Sequence, residues 1–216
     1  MVLPMADPAV RRTQRPREDT LRKRQDILRA ALATFGSRGY KSGSLAEIAD
    51  QVGITHAGVL HHFGTKDQLL LDVLLYRDQT DVENLEGKHI PGGLDLFRHL
   101  VETARLNATR PGIVQAFAVL SGDSVTDGHP AKDWFRARYT QLRGEVRDAL
   151  RSVCSDDDPP SDAAVDDAAA SILAVMDGLQ VQWLLDRDEV DLARASAFAI
   201  EAILAAAVSG NAQRLL

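Results

Sequence analysis

The chain is poor in cysteine, in aromatic residues and in long apolar runs. Of its 216 residues only Cys154 is a cysteine. No disulfide can form within them, which suits a reducing compartment. Aromatic residues make up 5% of the chain against 45% hydrophobic residues overall. A core is therefore affordable, but it must be aliphatic and alanine-rich, a composition that leans towards helix. No uncharged apolar run approaches the ~20 residues of a membrane-spanning helix. The opening stretch MVLPMADPAVRRTQRPRED has no apolar segment of signal-peptide kind. The expectation is a cytoplasmic protein with no membrane partner, built as one large domain or as a small one joined to a medium one.

Net charge is −6, unevenly spread. Residues 1–66 hold eleven Lys or Arg against six Asp or Glu, while the remainder holds 14 against 25. A basic head on an acidic body points to a polyanionic partner for the head, although a solvated charge run gives the same count.

Residues 1–17 lack periodicity and read as a disordered basic arm. From about Asp19 the pattern turns helical, with Ile27, Ala31 and Phe35 at i, i+4, i+8. Gly36 and Gly39 are expected to end this helix, and Tyr40 to anchor the turn. Ser44-Leu-Ala-Glu47 has the form of a capping box, in which the Ser hydroxyl accepts from the Glu47 amide and the Glu side chain reaches back. The short helix it opens stops at Val52-Gly53-Ile54, where Gly53 takes a positive φ cheaply. Thr55 caps a second short helix that ends near Phe63. Thr65-Lys-Asp-Gln68 is another capping box. Residues 44–63 thus read as helix, tight glycine turn, helix: the helix-turn-helix plan, whose second helix enters the DNA major groove.

Pro91-Gly92-Gly93, Arg110-Pro111-Gly112, TDGHP and CSDDDPPSD are breaks between further helices. These are expected at about 111–125, 131–153, 162–185 and 191–208, with another through Leu96, Leu100, Thr103 and Leu106. There is no internal repeat and no segment of strand period.

Within HAGVLHH, three imidazoles stand inside seven residues. They raise the question of a metal site. Helical ligands must lie at i and i+3 or i+4 to share a face. From His56 those positions are Val59 and Leu60. His61 and His62 are ~100° apart around a helix and cannot chelate together. No carboxylate lies in this helix to orient a general base. The reading is therefore no metal, no cofactor and no catalytic residue. Val59 and Phe63 form the inward stripe, which turns His56, Ala57, Gly58, Leu60 and His61 outward. Histidines there can donate to phosphates or bases, or can simply form a polar face.

With these residues in place, the chain resembles the TetR/AcrR family of transcriptional regulators. The resemblance rests on Phe35-Gly36, Gly39-Tyr40, Ser44-Leu45, Ile48-Ala49, Val52-Gly53-Ile54-Thr55, Val59, His62-Phe63, Lys66 and Leu69-Leu70, over about residues 24–75. It implies an all-α fold of about nine helices: a three-helix DNA-binding head (18–65) and a helical body (66–216) that binds a ligand and dimerises. It also implies a homodimer on double-stranded, pseudo-palindromic operator DNA, released by a small-molecule effector. Carried over by position, Ser44, Thr55, His56, Ala57, Gly58, Leu60, His61 and His62 are DNA-contact candidates, and Lys66 would hold a phosphate. Leu60 departs from the family, which mostly has a phosphate-bonding Tyr there.

In the body, Val165, Ala169, Ile172, Met176, Leu179 and Trp183 form one stripe, and Leu173, Gln180 and Leu184 lie on another face. A helix apolar on more than one side is buried on more than one side. Together with Ile200 and Ile203 this stripe is expected to form the dimer interface as a four-helix bundle, the alternative being ordinary intrachain core. Candidate effector-lining residues are Leu100, Thr103, Phe117, Leu120, Trp134, Phe135, Met176 and Gln180, each of which could equally be core. Two other functions compete with this one. An enzyme would have to use His89, His99, His129, Asp133 or Cys154, which show no catalytic spacing. A non-catalytic small-molecule-binding module that has lost DNA binding would have Leu60 as its sign.

Overall fold

The computed structural model describes residues 8–82, 90–154 and 159–208. Nine helices and no strand occur among them: α1 Pro8–Ser42, α2 Leu45–Gln51, α3 His56–Phe63, α4 Lys66–Val82, α5 Gly93–Asn107, α6 Pro111–Ser124, α7 Lys132–Val153, α8 Asp162–Leu185 and α9 Leu192–Val208. The fold is all-α, as expected.

Two expectations at the start of the chain need correction. Residues 8–17, read as an irregular arm, continue α1, with Pro8 at its first turn. A proline is tolerated there because the first-turn amides have no intrahelical partner, and the arginines that follow are good helix formers. Residues 1–7 of that arm, like His89, lie outside the described residues. Gly36 does not end the helix. It lies where α1 meets α6, and a Cβ built on it would stand 2.8 Å from Ala116 Cα. The break comes at Gly39, with φ 71° and ψ 169°, a region that is essentially glycine-only.

The head is a compact trio. Ile27, Ala31 and Phe35 of α1, Ile48 and Ala49 of α2, and Val59 and Phe63 of α3 share one core with Leu69, Leu70, Val73 and Leu74 of α4. That core runs on without interruption into Ala116, Phe117, Leu120, Ala131 and Phe135 of the body. Head and body are therefore joined by packing as well as by α4. A second core holds Leu96, Leu100, Val146, Leu150, Val165, Ile172, Met176 and Ile200, and a third holds Ala104, Val114, Trp183 and Leu192. By length and composition alone α8 could cross a membrane, but its Val165, Ile172 and Met176 are buried in the second core.

Candidate DNA interface and effector cavity

The helix-turn-helix is built by local hydrogen bonds. Ser44 Oγ accepts from the Ala46 amide at 3.2 Å and not from Glu47 as expected. Glu47 does not reach back either, because its carboxylate pairs with Arg38 at 3.1 Å. Gly53 makes the turn at φ 67°. Thr55 Oγ1 accepts from the Gly58 amide at 3.1 Å and so satisfies one orphan donor of α3. Gly64 closes α3 at φ 75°, its amide donating to the Leu60 carbonyl at 2.7 Å. Thr65 then caps α4 through the Gln68 amide at 3.0 Å.

Val59 and Phe63 are buried. Thr55, His56, Ala57 and His61 are exposed, and Gly58, Leu60 and His62 are half-buried. A Cβ at Gly58 would meet Ile54 and Thr55 only at 3.5 Å, an ordinary contact. Nothing inside the head requires a glycine there. The His62 ring leans on His61 and Phe63, and the Arg24 guanidinium lies 4.7 Å over the Phe63 ring. Burial, helped by His61, Arg24 and Lys23, lowers the His62 pKa from its ordinary value.

Lys66 is already engaged within the chain. Its Nζ donates to the Lys41 carbonyl at 3.2 Å and lies 4.6 Å over the Tyr40 ring; burial lowers its pKa. The Tyr40 hydroxyl donates to Asp67. The Tyr40 amide donates to Asp123 Oδ2 of α6 at 3.1 Å. A Cβ at Gly39 would stand 2.8 Å from that same oxygen. His129, buried, stacks edge-on to Tyr40 at 5.2 Å, with Nδ1 accepting from the Ala131 amide. Burial lowers its pKa. Sequence reasoning found Tyr40 as an anchor but missed Asp123 and His129, since no local pattern ties positions 83 or more residues apart to a turn.

Inside the body a cavity of about 90 Å³ lies among α4 to α8. Leu100, Thr103, Phe117, Met176 and Gln180 line it, as expected. Leu120, Trp134 and Phe135 do not: Leu120 and Phe135 are buried in the core that joins head to body, and Trp134 packs against it. The cavity also carries charged groups that were not foreseen. Arg77 Nη1 and Arg138 Nε reach the two carboxylate oxygens of Asp78 at 3.1 and 3.0 Å. The Tyr139 hydroxyl donates to Asp177 Oδ2 at 2.6 Å, and burial raises the pKa of both partners. Arg77 also stands 4.3 Å over the Phe117 ring. Among the described residues no group of three or more His, Cys, Asp or Glu is placed to hold a metal.

Residues 27–73 match the pattern of bacterial regulatory proteins of the tetR family, and residues 98–208 match the C-terminal region of BetI-type transcriptional repressors. The chain belongs to the TetR family of transcriptional regulators. As such it is a ligand-responsive DNA-binding repressor. It is 27% identical over 198 residues to the probable transcriptional regulator ArpR of Pseudomonas putida, covering 85% of this chain and 89% of that one. In fold it is similar to SmeT, the repressor of the Stenotrophomonas maltophilia multidrug efflux pump SmeDEF: TM-score 0.68, 20% identity, 86% of this chain and 90% of that one. It is also similar to NalD, the secondary repressor of the MexAB-OprM multidrug efflux pump in Pseudomonas aeruginosa: TM-score 0.66, 19% identity, 88% and 97%.

For this TetR-family chain the expected dimer stripe is placed differently. Val165, Ile172, Met176, Trp183 and Ile200 are buried inside the protomer, and Leu179 and Ile203 are half-buried against the same cores. A surface already covered by its own chain cannot be offered to a partner. The opposite face of α8 carries Ala170, Ala174, Gly178, Val181 and Leu185, all exposed. Beside it α9 exposes Phe198, Ala202 and Ala205. Leu185 is 82% and Phe198 75% exposed.

Proposed function

We propose that this TetR-family repressor is a cytoplasmic, non-enzymatic homodimer that sets α3 of each head into successive major grooves of a pseudo-palindromic operator, about one turn or ~34–36 Å apart. The observation that carries this reading is the division of α3. Val59 and Phe63 are spent on the core, while Thr55, His56, Ala57 and His61 face outward beside a half-buried Gly58. Ala57 and Gly58 let the backbone approach base edges, and His56 and His61 can donate to bases. Ser44, His62 and Lys66 lie at the edges of that face, where phosphates run. Lys66 has three donors and gives one to Lys41. Leu60 offers a methyl contact to thymine in place of a phosphate bond. A gel shift with DNA from upstream of the chain's own reading frame tests this reading, and no retarded band would defeat it.

The dimer forms on the exposed α8 and α9 face. Small residues at 170, 174 and 178 allow close helix approach, and a Cβ at Gly178 would meet nothing within 4 Å. Val181, Leu185 and Phe198 supply apolar area of about 25 cal/mol per Å² buried.

The effector occupies the cavity of α4 to α8. Helix α6 links it to the head. Phe117 lines the cavity, Ala116 touches Gly36, and Asp123 holds the Tyr40 amide. A shift of α6 is passed to the Gly39–Tyr40 turn and on to Lys66. An effector acts through it only to the extent that it binds one position of α6 more tightly than the other.

A further inference from the structure

The cavity walls carry a second kind of information, the chemistry left unmet. Along α5, Leu96, Leu100, Thr103 and Asn107 fall on one face and all line it, over roughly 16 Å of helix. Leu142 and Val146 of α7 and Leu173 and Met176 of α8 add apolar wall.

Most of the polar groups in it are matched. Arg77 and Arg138 share Asp78, and Asp177 receives the Tyr139 hydroxyl. Arg138 Nε is buried and meets Asp78 as an ion pair without hydrogen-bond geometry, and two further lining groups have no ion-pair partner at all. Glu145 accepts from Gln141 through Oε1 at 2.8 Å, but its Oε2 is buried with no hydrogen-bond partner. Asn107 is 1% exposed. Its Oδ1 accepts from Arg110 at 2.8 and 3.1 Å, while its Nδ2 has no partner. A buried carboxylate oxygen without a donor and a buried amide without an acceptor are each costly to leave so. Both become favourable if a ligand supplies the missing partner.

The required ligand is then constrained. It needs an apolar body, a strong donor for Glu145 and an acceptor oxygen for Asn107. A charge-assisted donor outranks a neutral one opposite a carboxylate. A carboxylate ligand would meet Glu145 as a like charge, and both lining arginines already hold Asp78.

On the reading of this cavity as the effector site, we propose that it takes a small amphipathic amine: an apolar or aromatic body whose protonated nitrogen is bound by Glu145 and whose carbonyl or hydroxyl oxygen, where it has one, is bound by Asn107.

Calorimetry on the full-length chain with butylamine, butanol and butyrate, sized to a cavity of about 90 Å³, tests this. These probes share one body and differ in head group. The amine is expected to bind at least about tenfold more tightly than the alcohol, the scale of one charge-assisted hydrogen bond, and the butyrate least. Glu145→Gln should bring amine and alcohol within about twofold, by weakening the amine far more than the alcohol. Asn107→Leu should not narrow the gap between amine and alcohol, because neither carries the acceptor oxygen as a second group. An amine that binds no better than the alcohol, an amine preference that survives Glu145→Gln, or no amine binding at millimolar concentration would overturn it. The operator gel shift separates the two readings. An amine held through Glu145 that never releases DNA refutes the effector role and supports the ligand class. Operator release by alcohol or butyrate as readily as by amine refutes the ligand class and leaves the effector role standing.

Discussion

The outer face of α3 and the cavity of α4 to α8 both present polar groups, and they are built in opposite ways. The α3 face comes from a single stretch of chain. Its backbone is satisfied by Thr55 and Gly64, and its His56 and His61 side chains are exposed to water. The cavity is assembled from five helices, and its unmet groups are already out of water. Glu145 Oε2 and Asn107 Nδ2 therefore carry a standing cost that His56 and His61 do not. A hydrated face can meet many sequences and choose among them by modest differences. A cavity with buried unmet groups discriminates by refusing ligands that leave them unpaired.

The largest effect should come where the two faces of α8 are told apart. Trp183→Glu removes the ring from among Ala104, Val114 and Leu192 and puts a charge there, beside the Arg187 guanidinium that now lies 5.3 Å over the ring; it should cost about 3–5 kcal/mol in urea unfolding. Phe198→Glu should leave the helical content intact and convert dimer to monomer in light scattering. If Trp183→Glu stays folded and becomes monomeric, the stripe first expected is the interface after all.

Next is the joint between head and body. Gly39→Ala forces a Cβ onto φ 71° and against Asp123, costing about 1–3 kcal/mol, visible as a fall in melting temperature. Asp123→Ala takes the acceptor from the Tyr40 amide and should cost about 1 kcal/mol. Its sharper effect is on coupling: effector should still bind, measured by calorimetry, while operator release weakens.

On DNA, His61→Ala should lose roughly 1–3 kcal/mol on the operator and much less on random sequence, if it meets a base edge. Lys66→Ala should weaken both about equally, since a phosphate carries no base information. Competition gel shifts at fixed salt compare the two.

The smallest effect is a pH dependence. His62 and His129 have folded pKa values below that of the unfolded chain. Their neutral forms are favoured by folding, so the contribution is complete above about pH 6.5 and is lost as pH falls through the lowered folded values. Melting temperature should drop on acidification below pH 6.5, and His129→Gln should flatten that slope. A melting temperature that rises on acidification would reverse the sign.

What could be seen from the sequence follows the same division. The α3 face was legible because period 3.6, two caps and a glycine turn act within about twenty residues. Ile27, Phe35, Val59 and Phe63 are buried as that period requires. Ser44 caps α2 as read, but neither bond of the box forms: its Oγ accepts from Ala46, and Arg38 takes the Glu47 carboxylate. The two faces of α8 could not be ranked, since periodicity reports that a helix has two apolar sides and not which neighbour covers each. Leu120 and Phe135 were misassigned for a similar reason: an apolar residue reads the same whether it lines a void or fills one. Glu145, Asn107, Arg138 and Asp177 were not found at all. They meet only when α5, α7 and α8 are assembled, and a lone charged residue on a predicted helix looks like surface.

The most direct test of the central assignment is a nuclease footprint of the full chain on DNA from upstream of its own reading frame, run at about 0.15 M salt, where non-specific binding is weak. The structure predicts a protected pseudo-palindrome with half-sites about one turn apart, ~34–36 Å, faded by His61→Ala more than by any loss of general DNA affinity explains. Protection that follows no sequence, or a site protected equally by wild type and His61→Ala, would contradict the claim that the outer face of α3 reads the operator.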